Sequence, residues 1–145
     1  MSGYDGAKKV KGRKRHILVD HLGLLITAVT GAGNCGDRDG LDVLLYLSGE
    51  EEVFPKKIFA NKSYHGTEFR KRLKQKYGVD LETVPKREKK KFILESRRWI
   101  FERTFAWFNN FRRLSKDYEL ITRTSTSMLY LSMTRIMLKR MITLR

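Results

Sequence analysis

Two β-prone runs, His16-Ile17-Leu18-Val19-Asp20 and residues 24–30, flank the short segment His21-Leu22-Gly23. Aliphatic and β-branched residues around a Gly-containing turn predict an antiparallel hairpin. "GAGNCGDRDG" then breaks the pattern with four glycines. Asp37 or Asp39 is placed to cap a helix that carries Leu41, Val43, Leu44 and Leu47. Pro55 precedes a buried-strand signal, Ile58-Phe59-Ala60, which stops at Asn61. Residues 65–77 read as a basic amphipathic helix, with Phe69 and Leu73 on one face and Gly78 as its stop. Residues 79–84 alternate as a strand ended by Pro85, and "KREKKK" (residues 86–91) predicts a solvated loop. Two helices follow, one through Glu102 and one over residues 124–144, the latter with a stripe of Met128, Met133, Met137 and Met141. Strand, strand, helix, strand, helix, strand, helix, helix is a mixed α/β order.

The stretch "RRWIFERTFAWFNNFRR" (residues 97–113) raises the first chemical question. At about 100° per residue, Ile100, Thr104, Trp107 and Phe111 share a face flanked by Phe101 and Phe108, so Trp107 is expected to be buried. Arg98, Glu102, Asn109 and Arg113 fall opposite. A surface Arg98–Glu102 pair at i, i+4 spacing is the ordinary reading, worth only a few tenths of a kcal/mol. It leaves unexplained why one carboxylate stands alone among basic and aromatic neighbours.

Charge adds a partner. The chain has 145 residues, room for one domain, and 41% of them are apolar, enough for a packed core. Lys and Arg number 31 against 16 Asp and Glu, a net +15 that favours a polyanion, nucleic acid above all. Lys8, Lys9, Lys11, Arg13, Lys14 and Arg15 place six basic residues in eight, a candidate phosphate-tracking surface. Helical spacing favours core packing for Trp107; Phe105, on Glu102's side, stays open to base stacking. One cysteine, Cys35, excludes an intrachain disulfide and a Cys-based zinc cluster. His16, His21 and His65 lack metal-ligand spacing. The glycine loop at residues 31–40 lacks the phosphate-cradling pattern G-x-x-x-x-G-K-[ST]. No apolar run is long enough for a bilayer and the basic amino terminus lacks a signal-peptide core, so an intracellular protein with no membrane partner is expected.

"GYDGAKKVKGRKRHILVDHLGLLITAVTGAGNCGDRDG" and "RRWIFERTFAWFNNFRRLSKDYE" resemble, in the same order, the bacterial insertion-sequence transposases of the DDE class. The resemblance runs from Gly3 to the final helix. It implies an RNase H-like mixed sheet with flanking helices, DNA (the transposon ends) as substrate, and three carboxylates that hold Mg²⁺ or Mn²⁺. It also implies a cytoplasmic, nucleoid-associated protein. Arg98, Glu102 and the following Arg103-Thr104-Phe105 match the family's third-carboxylate motif residue by residue. Glu102 is then the metal-binding catalytic acid, and Arg98 a phosphate holder. Arg103, Arg112 and Arg113 are further candidates for DNA contact, whereas the family's basic position seven residues after the acid is Asn109 here. Asn61 stands where the second acid belongs, in "FANKSYHG". The first acid belongs to a strand upstream of the first block. Asp5, in a Gly-flanked turn, and Asp20, at a strand end, are poor substitutes. The resemblance therefore implies a single partial catalytic domain over residues 1–145 that lacks the first strand and is inactive alone. Glu102 should face a cleft near Asn61, and the sheet should show an exposed seam. A homo-oligomer or an intact transposase is the implied protein partner. The alternative is a non-catalytic basic module that binds DNA or inhibits an intact transposase.

Overall fold

The computed structural model describes residues 2–6, 9–50, 54–84 and 96–143, with the backbone alone at residues 96–98. Lys8, the 86–91 loop and the side chain of Arg98 lie outside the described residues. Strands β1 (Gly3–Asp5), β2 (Val10–Val19) and β3 (Leu25–Ala32) form an antiparallel sheet in the order β1-β2-β3. Helix α1 (Asp37–Glu50) leads to β4 (Lys57–Ala60), a 3₁₀ turn (Lys62–Tyr64), α2 (Thr67–Tyr77) and β5 (Asp80–Thr83). β4 and β5 pair in parallel as a second, two-stranded sheet. Helices α3 (Ser96–Asn109), α4 (Arg112–Ser115) and α5 (Thr122–Thr143) complete the chain.

The alternation of β2 sorts the molecule into layers. His16 and Leu18 point to one face, where Leu18 joins Leu41, Leu44, Ile58, Phe69, Leu73 and Leu81 in a core under α1 and α2. Ile17 points to the other, where Ala28, Phe108, Leu114, Leu129 and Met133 pack under α3, α4 and α5. Helices thus cover both faces, the mixed α/β layout that the element order predicts.

Local expectations change at four points. β2 begins at Val10, not His16, so most of the basic run is strand; Arg13, Lys14 and Arg15 find acceptors on neighbouring elements, described below. The helix carrying Glu102 ends at Asn109, and α4 restarts after Phe111, whose φ and ψ of −96° and 118° are extended. The amide pair Asn109-Asn110 favours this break, and it takes Phe111 and Arg113 out of phase with Glu102. Thr104 and Phe108, 0% and 1% exposed, become the buried centre of α3, while Trp107 is half-buried at its margin. On α5, Met133 is buried and Met128 packs beside it, but Met137 and Met141 are exposed beyond the end of the core. Gly78 does stop α2, at φ 69°, with its N–H donating to Lys74 O.

His16 is the polar residue most tightly enclosed in β2. It is 5% exposed and lies against Gly40 of α1, where an added Cβ would meet the ring Nδ1 at 2.3 Å. Burial lowers its pKa; Asp37 and Asp39 oppose this, and Lys14 reinforces it. Below an unfolded-state value of about 6.5 the unfolded chain takes up a proton that the buried ring resists, so stability falls as pH drops through that value. Urea midpoints measured between about pH 7.5 and 5.5 should show this fall, and the variant His16→Gln should lose it.

Candidate functional site

Between the two sheets runs a groove of about 820 Å³. Residues 14–19 of β2 line one wall and β4 with Asn61 the other, while Ile100, Phe101 and Phe105 of α3 reach it from one face and Leu41 and Leu44 from the opposite face. β2 and β4 share no ladder among the described residues.

Helix α3 is held against the β2–β3 turn by side chains of the "RTF" segment. Asp20 Oδ1 accepts from the N–H groups of Leu22 and Leu24 at 2.9 and 2.8 Å, which shapes that turn. Gly23 sits at φ 78°, where a Cβ would lie 2.8 Å from Thr104 Oγ1. This turn needs glycine for both conformation and clearance. Thr104 Oγ1 donates to Gly23 O at 2.7 Å, and Arg103 Nη2 donates to Leu22 O at 2.8 Å. The Arg103 guanidinium also lies over both Trp99 and Trp107, at 4.6 and 5.0 Å from the ring centroids. Arg103 is thus committed to the turn and two indoles. Its anchoring role was not visible in sequence, where it read as a phosphate contact.

Glu102 is exposed on this anchored helix, one position beyond Phe101. It shares Phe105's side, about 60° away on the helical wheel, but does not itself line the groove. Asn61 does line it, at the end of β4. Its Oδ1 accepts from Ser63 N–H at 2.9 Å and caps the 3₁₀ turn. Asp5, on β1, lines the same groove and lies 3.6 Å from Lys14 Nζ, which also reaches Asp37 at 3.4 Å. Asp20 is occupied in its turn. Among the described residues no three of His, Cys, Asp or Glu come together as a ligand set. The described residues therefore do not assemble the ligand set for the metal pair that the sequence resemblance implies.

The candidate DNA contacts divide. Arg13 Nη1 donates to Asp117 at 3.3 Å and to Glu119 O at 2.7 Å, and its Nη2 donates to Leu120 O at 2.7 Å. Arg15 donates to Leu114 O at 2.7 Å, and burial pulls its guanidinium pKa down against the raising effect of Asp117. Lys14 donates to Cys35 O at 3.0 Å. Arg113 pairs with Glu119 at 2.6 Å. Lys9, Lys11 and Arg112 remain exposed. Asp117 and Glu119 were missed in sequence because nothing in a local pattern ties them to β2.

Comparison with known proteins follows the same line. The sequence profile of the family described as "Transposase DDE domain" matches residues 2–137. A protein of Burkholderia cepacia assigned as the transposase for insertion sequence element IS402 is 28% identical over 115 residues, 74% of this chain and 54% of the relative. The chain thus spans about half the length of that relative. No solved structure matches. No described helix is long and apolar enough to cross a membrane.

The anchor of α3 can be tested directly. Thr104→Val keeps the shape but leaves Gly23 O without its buried donor, and should cost about 1–2 kcal/mol in urea denaturation. Thr104→Ser, which keeps the hydroxyl, should recover most of that loss.

Proposed function

The chain belongs to the transposase DDE domain family, and from that premise we propose that it binds DNA as an RNase H-like transposase core and is catalytically inert on its own. The observation that carries this reading is the pair Asn61 and Glu102. Glu102 stands on an anchored helix that packs beside β4, and β4 ends at Asn61. An amide is neutral, and Asn61 Oδ1 already serves Ser63 N–H. The metal pair of such enzymes supplies an activated oxygen nucleophile and a stabilised leaving alkoxide, and it needs bridging carboxylates to be held. One carboxylate at Glu102 does not meet that need. Asn61→Asp adds a second and keeps the cap, since either side chain accepts from an N–H two residues on.

DNA binding rests on the net charge of +15. The engaged state of Arg13, Lys14, Arg15 and Arg103 supports a footprint that uses exposed cations such as Lys9, Lys11 and Arg112, with the bound ones holding the fold. Phosphate contacts carry no sequence information, so this binding would be sequence-tolerant unless base contacts are added.

Two measurements test the reading. Affinity for duplex DNA should fall steeply with salt, with a slope of log K against log salt of about −0.9 per neutralised phosphate. Lys11→Ala with Arg112→Ala should flatten the slope by about 0.9 for each phosphate that is no longer neutralised, whereas Arg13→Ala and Arg15→Ala should chiefly lower the unfolding midpoint. Absence of salt dependence removes the DNA-binding reading. In the second measurement, supercoiled plasmid is incubated with the chain and Mg²⁺ or Mn²⁺. No nicking is expected from the chain or from Asn61→Asp. Nicking that Glu102→Gln abolishes overturns the inert assignment.

A further inference from the structure

Two helices turn unlike faces to solvent. Helix α1 carries four carboxylates and one cation, in a chain whose net charge is +15. Asp39, Val43, Tyr46 and Glu50 recur at i, i+4, i+7 and i+11, so they form one stripe along its outer face, and all four are exposed. Helix α5 carries Arg123, Arg135, Lys139 and Arg140 and no carboxylate. On its outer face Leu131, Arg135, Leu138 and Ile142 recur at the same spacing, with Lys139 beside them. Leu131, Leu138 and Ile142 are 62%, 54% and 74% exposed. They make a contiguous stripe and not the scattered apolar residues that any surface shows.

Each stripe rejects a copy of itself and matches the other. Two α5 stripes laid antiparallel would set Arg135 against Lys139, and two α1 stripes would set Asp39 opposite Glu50, like charges in both cases. An α1 stripe laid antiparallel on an α5 stripe is complementary along its length. Val43 then faces Leu138, and the Tyr46 ring faces the Arg135 guanidinium. Asp39 comes within a turn of Lys139, and Glu50 within a turn of Arg135. Both stripes run about 17 Å at roughly 1.5 Å per residue, and opposed helix dipoles favour the same direction. Within one molecule α1 packs in the core with Leu18 and α5 in the core with Ala28, on the two sides of the β2–β3 pair. The stripes point apart, so the complementary faces meet between copies and not within one.

We propose that the occupant of each stripe is a second copy of this chain: the α1 stripe of one molecule docks antiparallel on the α5 stripe of the next. The contact is heterologous, so it leaves one α1 and one α5 free and extends head to tail instead of closing as a twofold dimer. Repulsion between copies at +15 opposes it, and the acidic stripe of α1 is the local exception that offsets this. The inference rests on two helix faces and stands whether or not the chain binds DNA.

The test uses the full chain in sedimentation velocity over a concentration series, without DNA. The mass of the unmodified chain should rise with concentration and pass that of a dimer. One variant, Val43→Gln with Tyr46→Gln, strips the α1 stripe; the other, Leu131→Gln with Leu138→Gln, strips the α5 stripe. All four positions are exposed, and circular dichroism checks that both variants fold. Each should stay monomeric alone, while their equal mixture, which restores one intact α1 and one intact α5, should form a one-to-one dimer and stop there. A charge swap supplies a second reading. Glu50→Lys should weaken association about tenfold, and adding Arg135→Glu to the same chain should restore it. An unmodified chain that stays monomeric throughout the series overturns the proposal, as does a mixture of the two variants that stays monomeric. Self-association of the α1 variant alone overturns it too, because α5 would then be pairing with α5. A charge swap that fails to recover overturns the antiparallel contact proposed.

Discussion

A strand buried between two layers of helices must pair its backbone along its edges and send alternate side chains into two cores, and β2 carries both demands. Its ladder with β3, from Arg13 opposite Ala32 to Val19 opposite Leu25, decides which residues face which layer. A slip of one residue would exchange His16 and Leu18 with Arg15 and Ile17, placing a guanidinium under α1. The register also delivers the turn at residues 20–23 to α3, where Gly23 and Leu22 accept from Thr104 and Arg103. The orientation of the helix that bears Glu102 thus follows from strand pairing some eighty residues earlier.

The same strand changes the meaning of the charge. A run of six cations in eight residues suggests a solvated arm or a DNA-tracking surface, yet a cation brought to the edge of a core has to find acceptors. Arg13, Lys14 and Arg15 find them in Asp117, in Asp5 and Asp37, and in the carbonyls of Leu114, Glu119 and Leu120. The basic run therefore ties β2 to the segment between α4 and α5. The overall field of the protein nevertheless remains strongly positive.

Family membership and side-chain chemistry diverge at the groove. At the end of β4, which lines the groove, Asn61 spends its oxygen on a local turn. Among the described residues no three acidic, His or Cys side chains gather as a ligand set.

Period and punctuation in the sequence determined the local elements: the hairpin around Gly23, the helix stopped by Gly78, the short strand before Asn61, and the two carboxyl-terminal helices. Those depend on φ, ψ and side-chain spacing within a few residues, which any chain segment carries with it. The motif around Glu102 and the amide at Asn61 drew notice through a family resemblance, not through local periodicity. Tertiary structure alone decided that Thr104 and not Trp107 would be sealed against the sheet, that Arg103 would lie over two indoles, that α3 would yield to α4 after Asn109, and that Arg13 would meet Asp117. Arg13 and Asp117 are separated by 104 positions. Burial and pairing across such distances are relations between surfaces, set by how layers stack, and no periodicity along the chain encodes them.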